Sequence, residues 1–556
     1  MQNPQNLKRD ISHLFFVLCV VFVCGCINLN SKPLLSLEEL QTKPKGVARD
    51  FYIWEYIGDK DTSLQDCIEA YSLVYNEIPK LKSALEKKGF HIAMPKSVIC
   101  AKLSLQELKN KDPECIAFGL RLQDIPLMNQ ADVKFFTQKL QANPKLLQKI
   151  AILRQKNITE AMFAADAQTF ADIFNALSYS QKLKLFESNL KPSLIKKLAH
   201  ENKTSFNKIL QTIILDSQFG AFKKAISKAN ITISDTNTFF LLGINEIITH
   251  HNTHDALRYF ELSRNVAVDP FFRDRAIFWQ YLISQNALFL NDLQASNFVD
   301  IFSIFANQKL KTTPNFKIIS SFENLGAKNP DFDIKDPFLW QTLRTNISNI
   351  KDTQQYQKLI KSFYYVDSVP HFAYFDNRLT KYSVNYYIMP YRDLVQWASI
   401  DEQAMTFAIA KQESNFLPAL ISRSYALGMM QIMPFNVEPF AKKIGLEGVR
   451  LDSMFDPAMA YKFGKMYLKE LDDEFHHPLF VAYAYNGGPG FLRRTLEKKR
   501  LFIKNRKYEP WLSLELLQNE ESRFYGMKVL ANYVIYHKLL GNEINIEALL
   551  QSALRY

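Results

Sequence analysis

From about residue 45 to residue 310, apolar side chains recur at intervals of three and four, the period of a helix that buries one face. Residues 129–140, 144–155, 180–190, 192–200 and 204–215 each carry this pattern, with Asn, Pro, Ser or Gly standing between them. Residues 253–266, with Ala256, Tyr259 and Phe260, and residues 270–284, with Ala276, Trp279 and Leu282, read as two antiparallel neighbours. Helices this short, joined by short loops, bury their apolar stripes by stacking on one another into a superhelix. No 34-residue consensus recurs, so the expectation is an irregular α-solenoid and not a tetratricopeptide array. Aromatic residues at helical spacing are core, and no binding role follows from them. Residues 311–385, with Pro314, Pro330, Pro337 and Pro370, are less periodic and predict a smaller helical linker domain. The fold class is therefore all-α, and 556 residues supply enough chain for two to four domains.

Lys8 and Arg9 precede an apolar run over residues 14–24, too short to span a bilayer and suited to the core of a secretory signal within residues 1–30. Val23-Cys24-Gly25-Cys26 has the form of a bacterial lipoprotein cleavage box, with Cys26 as the lipid acceptor. Cys24 is unusual before the glycine, so simple cleavage and an uncleaved anchor stand as alternatives. Beyond that segment Cys67, Cys100 and Cys115 form an odd set, which allows at most one disulfide and leaves one thiol. No CxxC occurs. His250 and His254 are four apart but lack a Glu or Cys at zinc spacing, so no metal is expected. The formal charge of +12 points to acidic partners, whether nucleic acid, anionic lipid or a carboxylate-bearing wall polymer. Export argues against nucleic acid, and the basic run from Arg493 to Lys507 reads as solvated helix surface.

The chemistry is concentrated after residue 386. Ser399 and Glu402 have capping-box spacing and start a helix on which Met405, Ile409 and Glu413 recur every four residues. Glu413 thus continues an apolar stripe, where lost hydration disfavours its charged form and raises its pKa toward the range of a proton donor. A glycine-bearing turn follows in Gly428-Met429-Met430-Gln431-Ile432-Met433-Pro434. Asp456-Pro457 caps a further helix, and the one opened by Pro478 stops at Asn486-Gly487-Gly488-Pro489-Gly490, leaving Tyr485 and Asn486 at a rim. Those glycines follow a helix and no Lys or Ser succeeds them in the phosphate-loop order, so they do not form a phosphate cradle. Residues 519–525 open a long final helix, where Glu521 by itself reads as a partner of the helix dipole.

Taken in order, Gln412-Glu413-Ser414, the 428–434 turn, Ala484-Tyr485-Asn486-Gly487-Gly488-Pro489-Gly490 and Glu521-Ser522-Arg523-Phe524-Tyr525 resemble the motifs of the soluble lytic transglycosylases. Residues 386–556 resemble their catalytic domain, and the whole chain resembles the large type, in which an α-superhelical ring precedes it. Met429 stands where the family has leucine, Tyr425 where it usually has glycine, and Gly487 where it has alanine. The resemblance implies a lysozyme-like α domain that cleaves the MurNAc-β-1,4-GlcNAc bond of peptidoglycan without water and without a cofactor. It implies Glu413 as the acid and base. Ser414 would hold a glycan group or orient Glu413, and Met430 and Gln431 would line sugar subsites. Tyr485 would position Glu413 or the sugar, with Asn486 beside it, and Glu521 would contact substrate. The partner is the glycan strand, and the location is the periplasm, at the outer membrane if Cys26 is lipidated. Two rival readings are a muramidase that hydrolyses the same bond and a non-catalytic scaffold for wall-synthesis proteins.

Overall fold

The computed structural model describes residues 33–188 and 190–555, so the signal segment and Cys26 lie outside the described residues. Short helices follow one another from Val47–Gly58 to Ile301–Leu310, most of them packed on near neighbours in the chain. Their starts are written in single residues. Asn129, Asn143, Asp166, Ser178, Asp235 and Asn252 each accept a hydrogen bond from the backbone amide three residues on, which ends one helix run and begins another. Thr253–Val266 and Pro270–Ser284 form where the periodicity places them and pack together. The stretch at 180–190 is shorter than its pattern, with helix only over Tyr179–Leu185. The solenoid core is aromatic, with Phe163, Phe170, Phe186 and Phe222 in mutual ring contact. Cys100 and Cys115 form a disulfide across a sequence separation of 15, and Cys67 is a buried free thiol.

The linker region contains helices Pro337–Asn349, Thr353–Lys361 and Val369–Leu379. Its small separate core of Trp340, Leu343, Ile347, Ile360, Phe363 and Phe375 also takes in Leu417 and Ala419, three and five residues beyond the Ile400–Ser414 helix. Among the described residues, sheet is confined to a two-residue parallel pair that joins Ile318–Ile319 to Asn385–Tyr386.

In the C-terminal part the Ile400–Ser414 helix is central. It is buried without interruption from Gln403 to Ala410, so it is enclosed on all sides and not simply amphipathic as its pattern suggested. It packs on the last long helix, Glu520–Leu539, and on Pro457–Phe475, while Pro478–Gly487 packs on Glu520–Leu539 from another side. Ser399 caps the first turn by accepting from the Glu402 amide, but the Glu402 carboxylate reaches one residue further back, to the Ala398 amide. No described helix is long and apolar enough to cross a membrane.

Two seams join the superhelix to the linker and the C-terminal part. At the first, Tyr52 stacks on Phe338 of the linker, Gln341 accepts from the Ala48 amide, and Phe51 and Trp54 pack against Tyr425 of the C-terminal part. Lys80 lies over the rings of Trp54 and Tyr425. At the second, Arg275 and Trp279 of the Pro270–Ser284 helix both donate to Glu515, with Arg275 and Glu515 almost fully buried.

Candidate active site

Glu413 sits in the last turn of the Ile400–Ser414 helix, half-buried, with Oε1 accepting a 2.6 Å hydrogen bond from the Tyr525 hydroxyl. Burial raises its pKa to about 7, the Tyr525 hydrogen bond pulls it back, and the charge of Glu521 adds a smaller upward push. A carboxyl near neutrality can both give up and retake a proton in the same reaction cycle. Tyr525 is buried and lies one helical turn beyond Glu521, so the same face of the final helix that carries Glu521 aims it at Glu413.

The helix stops because Asn415 and Phe416 take left-handed backbone conformations. The chain then folds into a tight bridge-stitched turn, with Leu427 paired to both Ile421 and Ile432. Gly428 has φ +70°, and a Cβ there would lie 2.0 Å from the Met454 carbonyl oxygen, so the position admits only glycine. Tyr425 also has positive φ, at 64°, a backbone region that favours glycine. The Gln431 amide donates to the carbonyls of Gly428 and Leu420, which fixes this side chain within the turn while part of it remains exposed.

Ser414 is buried, and its hydroxyl bonds the Met429 carbonyl at 2.8 Å, tying the end of the Glu413 helix to the turn. Met430 is fully buried, with its tip against Gly464, while its carbonyl accepts from the Tyr485 hydroxyl at 2.6 Å. Ser414, expected to hold a glycan group or orient Glu413, thus has its hydroxyl bonded to backbone carbonyls. The Met430 side chain, expected to line a sugar subsite, is fully buried. Tyr485 is half-buried, and the nearby charge of Glu413 helps to raise its pKa well above the ordinary tyrosine value, after burial itself.

Asn486 bridges to the final helix, accepting from Ser522 at 2.7 Å and donating to Glu521 at 3.3 Å. The Pro478–Gly487 helix includes Asn486 and Gly487, two residues more than the sequence suggested. Gly487 leaves room for Phe491, whose ring would be 2.5 Å from a Cβ at that position. The structure thus brings together Glu413, Gln431, Tyr485, Asn486 and Glu521 by chains of direct contacts through the 428–431 turn and the final helix. Tyr525 and Ser522 were not singled out from the sequence, although Tyr525 is i+4 from Glu521 on one helix face and could have been found that way. Among the described residues no group of His, Cys, Asp and Glu could hold a metal ion.

Residues 395–507 match the family model of the transglycosylase SLT domain. The soluble lytic murein transglycosylase of Escherichia coli (strain K12) is 29% identical over 156 residues, which is 28% of this chain and 23% of that relative. The chain's match thus spans about a quarter of that relative's length. The membrane-bound lytic murein transglycosylase C of Photorhabdus laumondii is 29% identical over 220 residues, covering 36% of this chain and 60% of the relative. The solved structure of the 70 kDa soluble lytic transglycosylase from Escherichia coli aligns with a TM-score of 0.49 at 16% identity, covering 94% of this chain and 85% of that one.

Proposed function

We propose that this chain, which carries a transglycosylase SLT domain at residues 395–507, is a peptidoglycan lytic transglycosylase. The observation that carries the reading is the Glu413 carboxyl, half-buried, held near neutrality and oriented by the Tyr525 hydroxyl. Glu413 protonates the glycosidic oxygen between MurNAc and GlcNAc, and the C1–O bond breaks. It then accepts the proton of the muramoyl C6 hydroxyl as that oxygen bonds to C1, giving a 1,6-anhydro end and restoring the acid. A retaining glycosidase with an enzymic nucleophile places a second carboxylate about 5 Å from the first. The carboxylate whose charge is felt at Glu413 is Glu521, which is solvent-exposed and bonded to Asn486, so it is a substrate contact in this reading. The N-acetyl group of the sugar takes the place of that nucleophile. Gln431, Asn486 and Glu521 touch the strand, Tyr485 positions acid and sugar, and Ser414 and Met430 hold the wall behind them.

The same reading assigns residues 45–310 to a superhelical domain, 311–385 to a linker and 386–556 to the catalytic domain. It assigns the protein to the periplasm, anchored to the outer membrane where Cys26 is lipidated. A disulfide at Cys100–Cys115 suits an oxidising compartment. Digestion of purified wall by the full chain, followed by mass analysis of the muropeptides, is the test. Products lighter by one water than their reducing counterparts are expected, and Glu413→Gln removes them. Reducing ends would identify a muramidase, and wild-type activity in the Glu413→Gln variant would overturn the acid.

A further inference from the structure

A cavity of about 660 Å³ lies where the solenoid meets the C-terminal part, bounded by residues 214–223 and 247–253 on one side and 491–518 on the other. Its floor is apolar, with Ile214, Ile247, Phe491, Ile503 and Leu512 among the lining groups. Its walls are cationic: Lys223, Arg494, Lys498, Arg500 and Lys507 face a single lining acid, Asp216. The basic run expected to be solvated helix surface is helical only as far as Glu497, and its remainder folds as a loop over this cavity. Arg500 bonds the Ser217 hydroxyl, which pins the loop to the solenoid.

Lys223 is the informative residue. It is 8% exposed, and its ammonium makes no hydrogen bond or ion pair among the described residues. Burial lowers its pKa and the charge of Asp216 offsets this in part, while the Asp216 carboxylate is itself occupied by the Tyr179 hydroxyl and the Gln218 amide. The Lys223 ammonium opens into the cavity, and a cleft lined by one sign of charge over an apolar wall favours an anion. Phe491 connects the cavity to the site, since it lines the one and packs on Gly487, next to Asn486, in the other.

We propose that this cavity is a binding site for a short acidic peptide, whose carboxylates pair with Lys223 and the 494–507 cations while its small apolar side chains rest on the floor. The assignment of that peptide to the stem of the wall strand rests on the transglycosylase reading. Several separated cations around an apolar floor fit a ligand with more than one carboxylate and some apolar bulk, and a lone inorganic anion would leave the floor unused.

The test is calorimetric titration of the full chain carrying Glu413→Gln with the free stem tetrapeptide cut from purified wall. Using that variant keeps binding separate from cleavage. The peptide is expected to bind at least ten times more tightly than its fully amidated form or than inorganic phosphate. Lys223→Met, and separately Arg494→Gln, should each weaken it about tenfold, with Lys223→Arg restoring most of the affinity and thermal midpoints confirming the fold. Equal affinity for the amidated peptide, equal affinity for phosphate, or unchanged binding in both charge-removing variants would overturn the proposal. Products from wall digestion would still report on the transglycosylase reading independently.

Discussion

At Glu413 the energetics of burial and the requirements of proton transfer point the same way. The unfolded chain releases this proton near pH 4.5 and the folded chain near 7, so the folded state binds more protons between those values. Stability tied to this group is therefore fully present below about pH 4.5 and lost as pH rises through about 7, a swing of up to about 3 kcal/mol. Glu413→Gln should be more stable than the parent at pH 8 and no more stable at pH 4. A difference in thermal midpoint that stays flat with pH would contradict the raised pKa. Activity should fall as pH rises through about 7, because the donor must be protonated. Tyr525→Phe removes a hydrogen bond that holds the carboxylate form down in pKa, so its alkaline limb should move to higher pH. A pH–rate profile with an unmoved limb would show that Tyr525 does not tune the acid. Glu413 was legible in the sequence as a carboxylate on a buried stripe, and Tyr525 could be placed on the face of Glu521, but its contact with the acid could not, because it spans 112 residues of chain.

The element that shapes the site is the turn between Leu420 and Ile432. Its backbone is fixed by the Leu427 bridges and by the clearance Gly428 leaves for the Met454 carbonyl. Gly428→Ala puts a Cβ against rigid backbone in a left-handed conformation, and a loss of about 3 kcal/mol is expected, together with displacement of Gln431. Gly464→Ala is a contrast, because the obstructing atom is the tip of the flexible Met430 side chain and the position is helical. There the gain in helix propensity offsets repacking, and a change within about 1 kcal/mol is expected. Chemical denaturation of both variants checks the pair, and equal losses would mean that the turn has no special rigidity. Helix starts such as Asp456-Pro457 and Asn519 were readable because capping is a local interaction. The enclosure of the Ile400–Ser414 helix was not, because Thr406 and Gln403 are polar by type and are buried only through contacts made elsewhere in the chain.

For the whole molecule, the two seams fasten a run of short helices to the linker and the C-terminal part. Arg275 and Glu515, separated by 240 residues, form a buried bidentate pair at one of them. Glu515→Ala leaves the guanidinium buried without its partner and should cost about 3–5 kcal/mol, whereas Arg275→Met with Glu515→Leu should recover most of that loss. Thermal unfolding of the single and double variants checks this, and a double variant no better than the single one would mean that the seam depends on the charges themselves. The stacking of helices was visible as periodicity, but these seams were not, since ring contacts such as Tyr52 on Phe338 and Phe51 on Tyr425 carry no sequence pattern. Tyr425 has a further consequence. It is gripped by the Val47–Gly58 helix and stands three residues before Gly428, so that helix steadies the turn beside the proton donor. Loosening the Val47–Gly58 helix would therefore free Tyr425 and with it the turn that carries Gln431.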